Sequence, residues 1–227
     1  MVTPIDKVKE FRTVVGDFPL IIGAGVTPTG LRKDIRHCDG FIVGSWFKEN
    51  HSAEGEVCEA YVREFMAERN RLLAEMDLKQ KGICDFTGEY AFLAMKATVP
   101  IELDSIKYTN LVAAWLAQGV PMEHCAEFAG LNAHQARRRF KQLPRVADWA
   151  EKRETALKRA CFAKFDQNPA LASKLLATGN RPIVYDTTGS HDNELGRCAC
   201  LECRNQEAKN LYGKILMYIR DERSSGN

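Results

Sequence analysis

The 227-residue chain lacks an apolar run long enough to cross a bilayer as a helix. Its longest stretch, Phe18 to Val26, is broken by Pro19 and two glycines and falls far short of the roughly 20 residues such a span needs. No N-terminal export signal is expected either, because Asp6-Lys7 and Lys9-Glu10 interrupt any apolar start. No membrane partner and a cytoplasmic location are therefore expected. Charge of one sign is equally scarce. A net charge of +2 is too small to announce nucleic acid as a partner, so any case for one must be local. With 45% apolar residues and no sign of collagen, disorder or a repeat array, the chain is expected to bury one good core, or one core and a small satellite.

What is present is cysteine. Eight cysteines in a reducing compartment read as thiols or metal ligands rather than disulfides. Cys198-Ala199-Cys200-Leu201-Glu202-Cys203 puts three thiols into six residues of a polar loop, a density that zinc explains. Cys198, Cys200 and Cys203 with His191, seven residues upstream, make a tetrahedral Cys3His structural site; Cys84 or another cysteine is the alternative fourth ligand. The C-x-C-x2-C spacing resembles the zinc loop of tRNA-guanine transglycosylases, whose last ligand is a downstream histidine, and no histidine follows Cys203. Cys38, Cys58, Cys125 and Cys161 lie in apolar or helical surroundings and read as small core residues. No organic cofactor is expected.

The chain divides by pattern into residues 1–75, a short linker helix region at 76–81 within the charged stretch Arg69 to Lys81, and residues 82–227. The fold class expected is α+β, mainly α in the C-terminal domain, with a partial βαβα segment before it. In that segment Leu20-Ile21-Ile22 and Phe41-Ile42-Val43 are buried-strand runs ending in Gly23-Ala24-Gly25 and Gly44-Ser45, and Thr27-Pro28 starts a helix between them. The stretch from Thr3 to Leu73 resembles the last two β/α units of a BtpA-like TIM barrel, whose equivalent loops commonly hold a phosphate. A whole barrel needs about 250 residues and eight strands. The segment is thus read as a barrel relic without a working phosphate site, and its open strand edges point to a homo-oligomer or a domain contact.

In the second segment Tyr90 to Tyr108 carries short β-type runs and helices follow. Trp149, Arg153, Ala156, Leu157, Ala160 and Cys161 trace one amphipathic helix; Asn168-Pro169 to Gly179 marks another with an N-cap side chain and a closing glycine. Ile183-Val184-Tyr185 reads as a short strand, and Leu211, Ile215, Leu216 and Ile219 line a final helix. Met122 to Leu143 reads like a helix-turn-helix whose second helix carries Arg137, Arg138 and Arg139, which keeps a DNA-binding alternative open.

Phe86-Thr87-Gly88-Glu89-Tyr90-Ala91-Phe92-Leu93, Lys164-Phe165-Asp166-Gln167-Asn168-Pro169-Ala170-Leu171 and Asn210-Leu211-Tyr212-Gly213 together resemble the NADAR superfamily, over about residues 82–222. The resemblance implies N-glycosidase chemistry on N-ribosidic bonds of ADP-ribose-like or phosphorylated riboflavin-pathway compounds. Such chemistry stabilises an oxocarbenium-like sugar and activates a water, so it calls for a placed carboxylate. Departures are several. A Leu-Ser-Asn-Phe stretch in similar enzymes reads Leu93-Ala94-Met95-Lys96 here, and the glutamate and histidine of a Tyr-Pro-x-x-Glu-His stretch are Val112 and Ala113. Asp186, Asp192 or Glu194 is the carboxylate left to act. Trp149, Arg137, Lys209, Asn210 and Gly213 are the ligand-binding residues the resemblance implies, with Arg137 on a phosphate. Asp186 also reads plainly as the opening of a turn before Thr187-Thr188-Gly189. Three readings follow: a divergent N-glycosidase, a catalytically silent binder of an ADP-ribose-like ligand, or an interaction protein. The partner is a phosphorylated ribosyl small molecule or ADP-ribosylated nucleic acid.

Overall fold

A computed structural model describes residues 4–200, 202–203 and 206–225. Thr3, at the edge of the barrel-like segment, and Leu201, inside the expected metal loop, lie outside the described residues. The chain forms two compact units, residues 1–80 and 81–227, and the fold is α+β, mainly helical.

In the first unit, helix α1 (Ile5–Val15) precedes strand β1 (Ile21–Ile22), helix α2 (Pro28–Asp34), strand β2 (Gly40–Phe41) and helix α3 (Glu59–Lys81). The two strands pair in parallel, Ile21 with Gly40 and Ile22 with Phe41. Thr27 caps α2 by accepting a hydrogen bond from Gly30 N, with Pro28 in the first turn; this is where a preset φ and a missing N–H cost nothing. Gly44-Ser45 leads into 3-10 turns at Ser45–Phe47 and Glu49–His51 rather than straight into a helix. The charged stretch from Arg69 is the second half of the 23-residue α3. Phe65 and Leu72 of that helix join Val8, Ile22, Val26 and Leu31 in a small core.

The second unit opens with a 3-10 helix at Gly88–Leu93 and a hairpin of β3 (Thr98–Leu103) and β4 (Ile106–Asn110). Val99, Ile101 and Leu103 point inward while their neighbours face out, the two-residue period of a half-buried strand. Asp104 and Ser105 both have positive φ, as a two-residue hairpin turn of this hand requires. Helices α4 (Leu111–Ala117), α5 (Met122–Cys125), α6 (Ala133–Gln142), α7 (Trp149–Asp166), α8 (Pro169–Leu176) and α9 (Leu211–Ser225) complete the unit. They surround a core that includes Leu93, Met95, Val112, Ala113, Leu157, Phe165, Ile183, Tyr212 and Leu216.

Three local expectations change. Asn168 does not cap α8 with its side chain; its Nδ2 instead donates to Pro100 O and Lys164 O, tying β3 to the end of α7. Residues 183–185 make a parallel bridge from Ile183 to Ile83 rather than a named strand, because their partner is one short segment a hundred residues away. In the helix-turn-helix stretch, α5 is a single turn continued by a 3-10 turn at Ala126–Phe128.

Candidate functional site

Ile83 and Ile183 set the geometry of the site. Ile83 N donates to Pro182 O and Val184 N to Ile83 O, at 2.7 and 3.0 Å. Two chain segments therefore run side by side, and the residues after each isoleucine emerge at the same end. A cleft of about 320 Å³ lies there, lined by Cys84, Asp85 and Phe86 from one segment, Tyr185 and Asp186 from the other, and Ala94, Met95 and Lys96. Phe86 and Tyr185 stack with ring centres 5.7 Å apart and 19° between planes, and Tyr212 meets both edge-on.

Two fully buried polar side chains hold the third wall. Tyr212 hydroxyl donates to Leu93 O at 2.5 Å and Lys164 Nζ to Phe92 O at 2.6 Å, fixing the backbone just before Ala94. Burial lowers the Lys164 ammonium to about 8 and pushes the Tyr212 phenol well above its usual value, since a low-dielectric setting disfavours either charge.

Of the expected carboxylates, Asp186 lies in the cleft wall. Its Oδ1 accepts from Thr188 N at 2.8 Å and Thr188 Oγ1 at 2.6 Å, so it opens a turn and faces the cleft at once. Asp192 Oδ1 accepts from Glu194 N and Leu195 N, which folds the loop behind it. Glu194 pairs with Arg153 and, at 3.5 Å, with Lys209. Tyr185 connects several of these groups: burial raises its phenol, the Arg137 charge lowers it, and Asp192 and Asp186 raise it. Arg137, Asp186 and Asp192 thus lie within electrostatic reach of one ring.

The remaining ligand-binding expectations acquire structural tasks. Asn210 Oδ1 accepts from Tyr185 N and its Nδ2 donates to Ile183 O, at 3.0 and 2.9 Å. A Cβ on Gly213 would stand 2.3 Å from Ile183 O, so only glycine lets α9 approach this closely. Trp149 packs on Trp115 and Phe140 and covers Gly119, where a Cβ would meet its ring at 2.7 Å. Val112 and Ala113 are completely buried in the first turn of α4, which Asn110 caps through Ala113 N. The positions of the expected glutamate and histidine are therefore filled core. Arg139 is held by Glu127, which His124 also contacts. Asp85 and Lys96 were not singled out from the sequence. Their signal is an apolar residue followed closely by aspartate in both Ile83-Cys84-Asp85 and Ile183-Val184-Tyr185-Asp186, a likeness that means nothing until the segments are paired.

Beside the cleft, His191, Cys198, Cys200 and Cys203 form a group that could hold a metal ion, with the four ligand atoms all within 4.8 Å of one another. His191 Nδ1 lies 3.7, 3.2 and 3.5 Å from the sulfurs of Cys198, Cys200 and Cys203. Tetrahedral zinc with Zn–S of about 2.3 Å and Zn–N of about 2.0–2.1 Å places sulfur and nitrogen about 3.5–3.6 Å apart, so the donors fit such an ion in number, type and spacing. His191, not Cys84, completes the group. Cys203 N donates to Cys200 Sγ, the leading cause that holds the Cys200 thiol down to about 6, while burial pushes Cys203 up.

No helix among the described residues is long and apolar enough to cross a membrane. Short matches connect the chain to uncharacterized proteins of Pyrococcus furiosus (34% identity over 59 residues, 26% of this chain and 22% of that one) and Methanocaldococcus jannaschii (38% over 53 residues, 23% and 20%). The chain thus covers about a fifth of the length of these curated relatives. The NMR structure of the E. coli protein YbiA superposes with a TM-score of 0.54 at 23% identity, covering 64% of this chain and 87% of that one, a likeness of fold. The NADAR domain profile matches residues 46–223, beginning inside the first unit, and on that extent the chain belongs to the NADAR family.

Proposed function

We propose that the chain is a divergent N-glycosidase that hydrolyses the N-ribosidic bond of an ADP-ribose-like or phosphoribosyl compound, either free or attached to nucleic acid. The observation that carries the reading is the cleft in which Asp186 adjoins the stacked Phe86 and Tyr185. Aromatic faces suit a base, and a carboxylate beside them suits the sugar: it stabilises positive charge developing at the anomeric carbon and takes a proton from the attacking water. Lys96 in the wall and Arg137, close enough to act on Tyr185, suit phosphates, Arg137 through a bidentate guanidinium. A volume near 320 Å³ sits at the low end of small-molecule sites, so it takes the base and ribose while phosphates stay at the rim. A structural zinc at the Cys3His group belongs to the same reading and takes no part in the chemistry.

A catalytically silent binder is the second reading, favoured by the complete burial of Val112 and Ala113. A binding and hydrolysis screen with ADP-ribose, NAD, ribose 5-phosphate derivatives and ADP-ribosylated DNA separates the two. Release of a free base from at least one compound supports the enzyme; ADP-ribose binding without turnover of any compound supports the binder. Salt-sensitive binding of plain duplex DNA, lost in Arg137→Ala/Arg138→Ala, would contradict both and favour a nucleic-acid reader.

A further inference from the structure

We propose that the metal held by His191, Cys198, Cys200 and Cys203 positions Tyr185 and Asp186, so that zinc binding and ligand binding at the cleft are coupled; the ligand half of this claim rests on the cleft reading above. The ligands and the cleft wall share one short hydrogen-bond network. Ala199, between two ligating cysteines, donates its N–H to Thr188 Oγ1 at 3.1 Å, and the same hydroxyl donates to Asp186 Oδ1 at 2.6 Å. Arg197, immediately before Cys198, donates its N–H to Tyr185 O and accepts from Thr187 N, at 2.8 and 3.2 Å. Thus the strand of chain that delivers two sulfurs is also the partner of the cleft segment, in the parallel bridge from Asp186 to Arg197. Gly196 permits this approach, since a Cβ there would stand 2.2 Å from Tyr185 O.

The loop has its own hydrogen bonds, among them Asp192 Oδ1 accepting from Glu194 N and Leu195 N and Asn193 Oδ1 accepting from Cys198 N, and the metal adds a constraint at the ligand end. His191 stands at φ +54, a left-handed conformation that a residue other than glycine adopts when its surroundings impose it. Ligation by Nδ1 is such a constraint. A tetrahedral set of three thiolates and one imidazole selects zinc among divalent ions by softness and geometry, and where ion binding fixes its ligands, part of the binding energy becomes ordering energy. Because Thr188 and Arg197 hydrogen-bond the ligand segment to the cleft wall, ligation that fixes this segment also fixes Asp186. By linkage, a cleft ligand that needs Asp186 in place must then tighten zinc by the factor by which zinc tightens the ligand.

The test uses the full chain, prepared metal-free under reductant and again loaded with Zn²⁺, and reads backbone hydrogen exchange over residues 84–86 and 185–188 together with ADP-ribose affinity. About one zinc per chain, increased protection at 185–188 on loading, and reciprocal tightening of ADP-ribose and zinc by about 5- to 150-fold are expected. Cys200→Ser should lose both zinc and protection, whereas Cys58→Ser, in the other unit, should keep them. The proposal is overturned if no zinc binds, or if zinc binds and exchange at 185–188 does not change. If ADP-ribose binds neither form, the cleft reading has failed separately, and the exchange at 185–188 still decides whether the metal orders the wall.

Discussion

Ile83 and Ile183 form a parallel bridge across a hundred residues of sequence, and that one pairing assembles the cleft. It carries Asp85 and Phe86 outward on one side and Tyr185 and Asp186 on the other. Asn210 and Gly213 hold the second side from behind through the backbone of Ile183 and Tyr185. The chemistry assigned to Asp186 therefore depends on residues whose own role is to place backbone.

That dependence predicts the effect of Gly213→Ala. The added methyl would stand 2.3 Å from Ile183 O and 2.5 Å from the Asn210 amide, so α9 or residues 183–185 must shift. Overpacking of this kind costs about 1–3 kcal/mol, to be measured by urea unfolding. Gly189→Ala, where a Cβ meets nothing within 4 Å, should change stability by less than about 0.5 kcal/mol.

Arg137 and Arg139 should separate in ligand binding. The Arg137 charge lowers the Tyr185 phenol that burial raises, whereas Arg139 is engaged by Glu127 at 2.6 Å. Arg137→Ala should weaken ADP-ribose binding by about 10- to 100-fold, the loss of a hydrogen bond to a charged group, and Arg139→Ala should weaken it little. Calorimetric titration of both variants measures the difference; equal losses would remove Arg137 from the site.

Lys164 gives the cleft wall a pH dependence with a definite sign. Burial lowers its ammonium from 10.5 to about 8, so the folded state disfavours the charge that the unfolded chain carries freely. Below pH 8 the full penalty is present; between pH 8 and about 10.5 it is relieved as the folded group loses its proton. The stability of the wild type relative to Lys164→Met should therefore rise across that window. Comparing the two by urea unfolding at each pH cancels the opposite trends of Cys161 and Tyr108, both pushed up to about 12 by burial.

Much of the helical frame was legible in the sequence because its signals are local. Ala156, Leu157, Ala160 and Cys161 repeat at the helical period and line the buried face of α7. Thr27-Pro28 announces α2 through a cap that the structure contains. The metal group was legible for the same reason: its four ligands fall within thirteen residues, and the loop brings His191 to all three sulfurs. The cleft was not. Asp85 and Asp186 come to line one cleft through a bridge between two isolated segments, with no period or motif to pair them. Asn168 shows the converse: an N-cap residue in sequence donates instead to Pro100 O, across the fold, and to Lys164 O four residues back, since such bonds compete with the cap.

The central claim is that Asp186 acts in the transition state of N-ribosidic hydrolysis. Its most direct test is kcat/KM and Kd for Asp186→Asn beside the wild type, on whichever compound of the screen releases a base. Asparagine keeps the oxygen that accepts from Thr188 N, so the turn should persist. The account predicts a fall in kcat of about 10²- to 10⁴-fold with Kd and unfolding midpoint nearly unchanged, since a group used in the transition state contributes little to ground-state binding. An Asp186→Asn protein that turns over at the wild-type rate would contradict it.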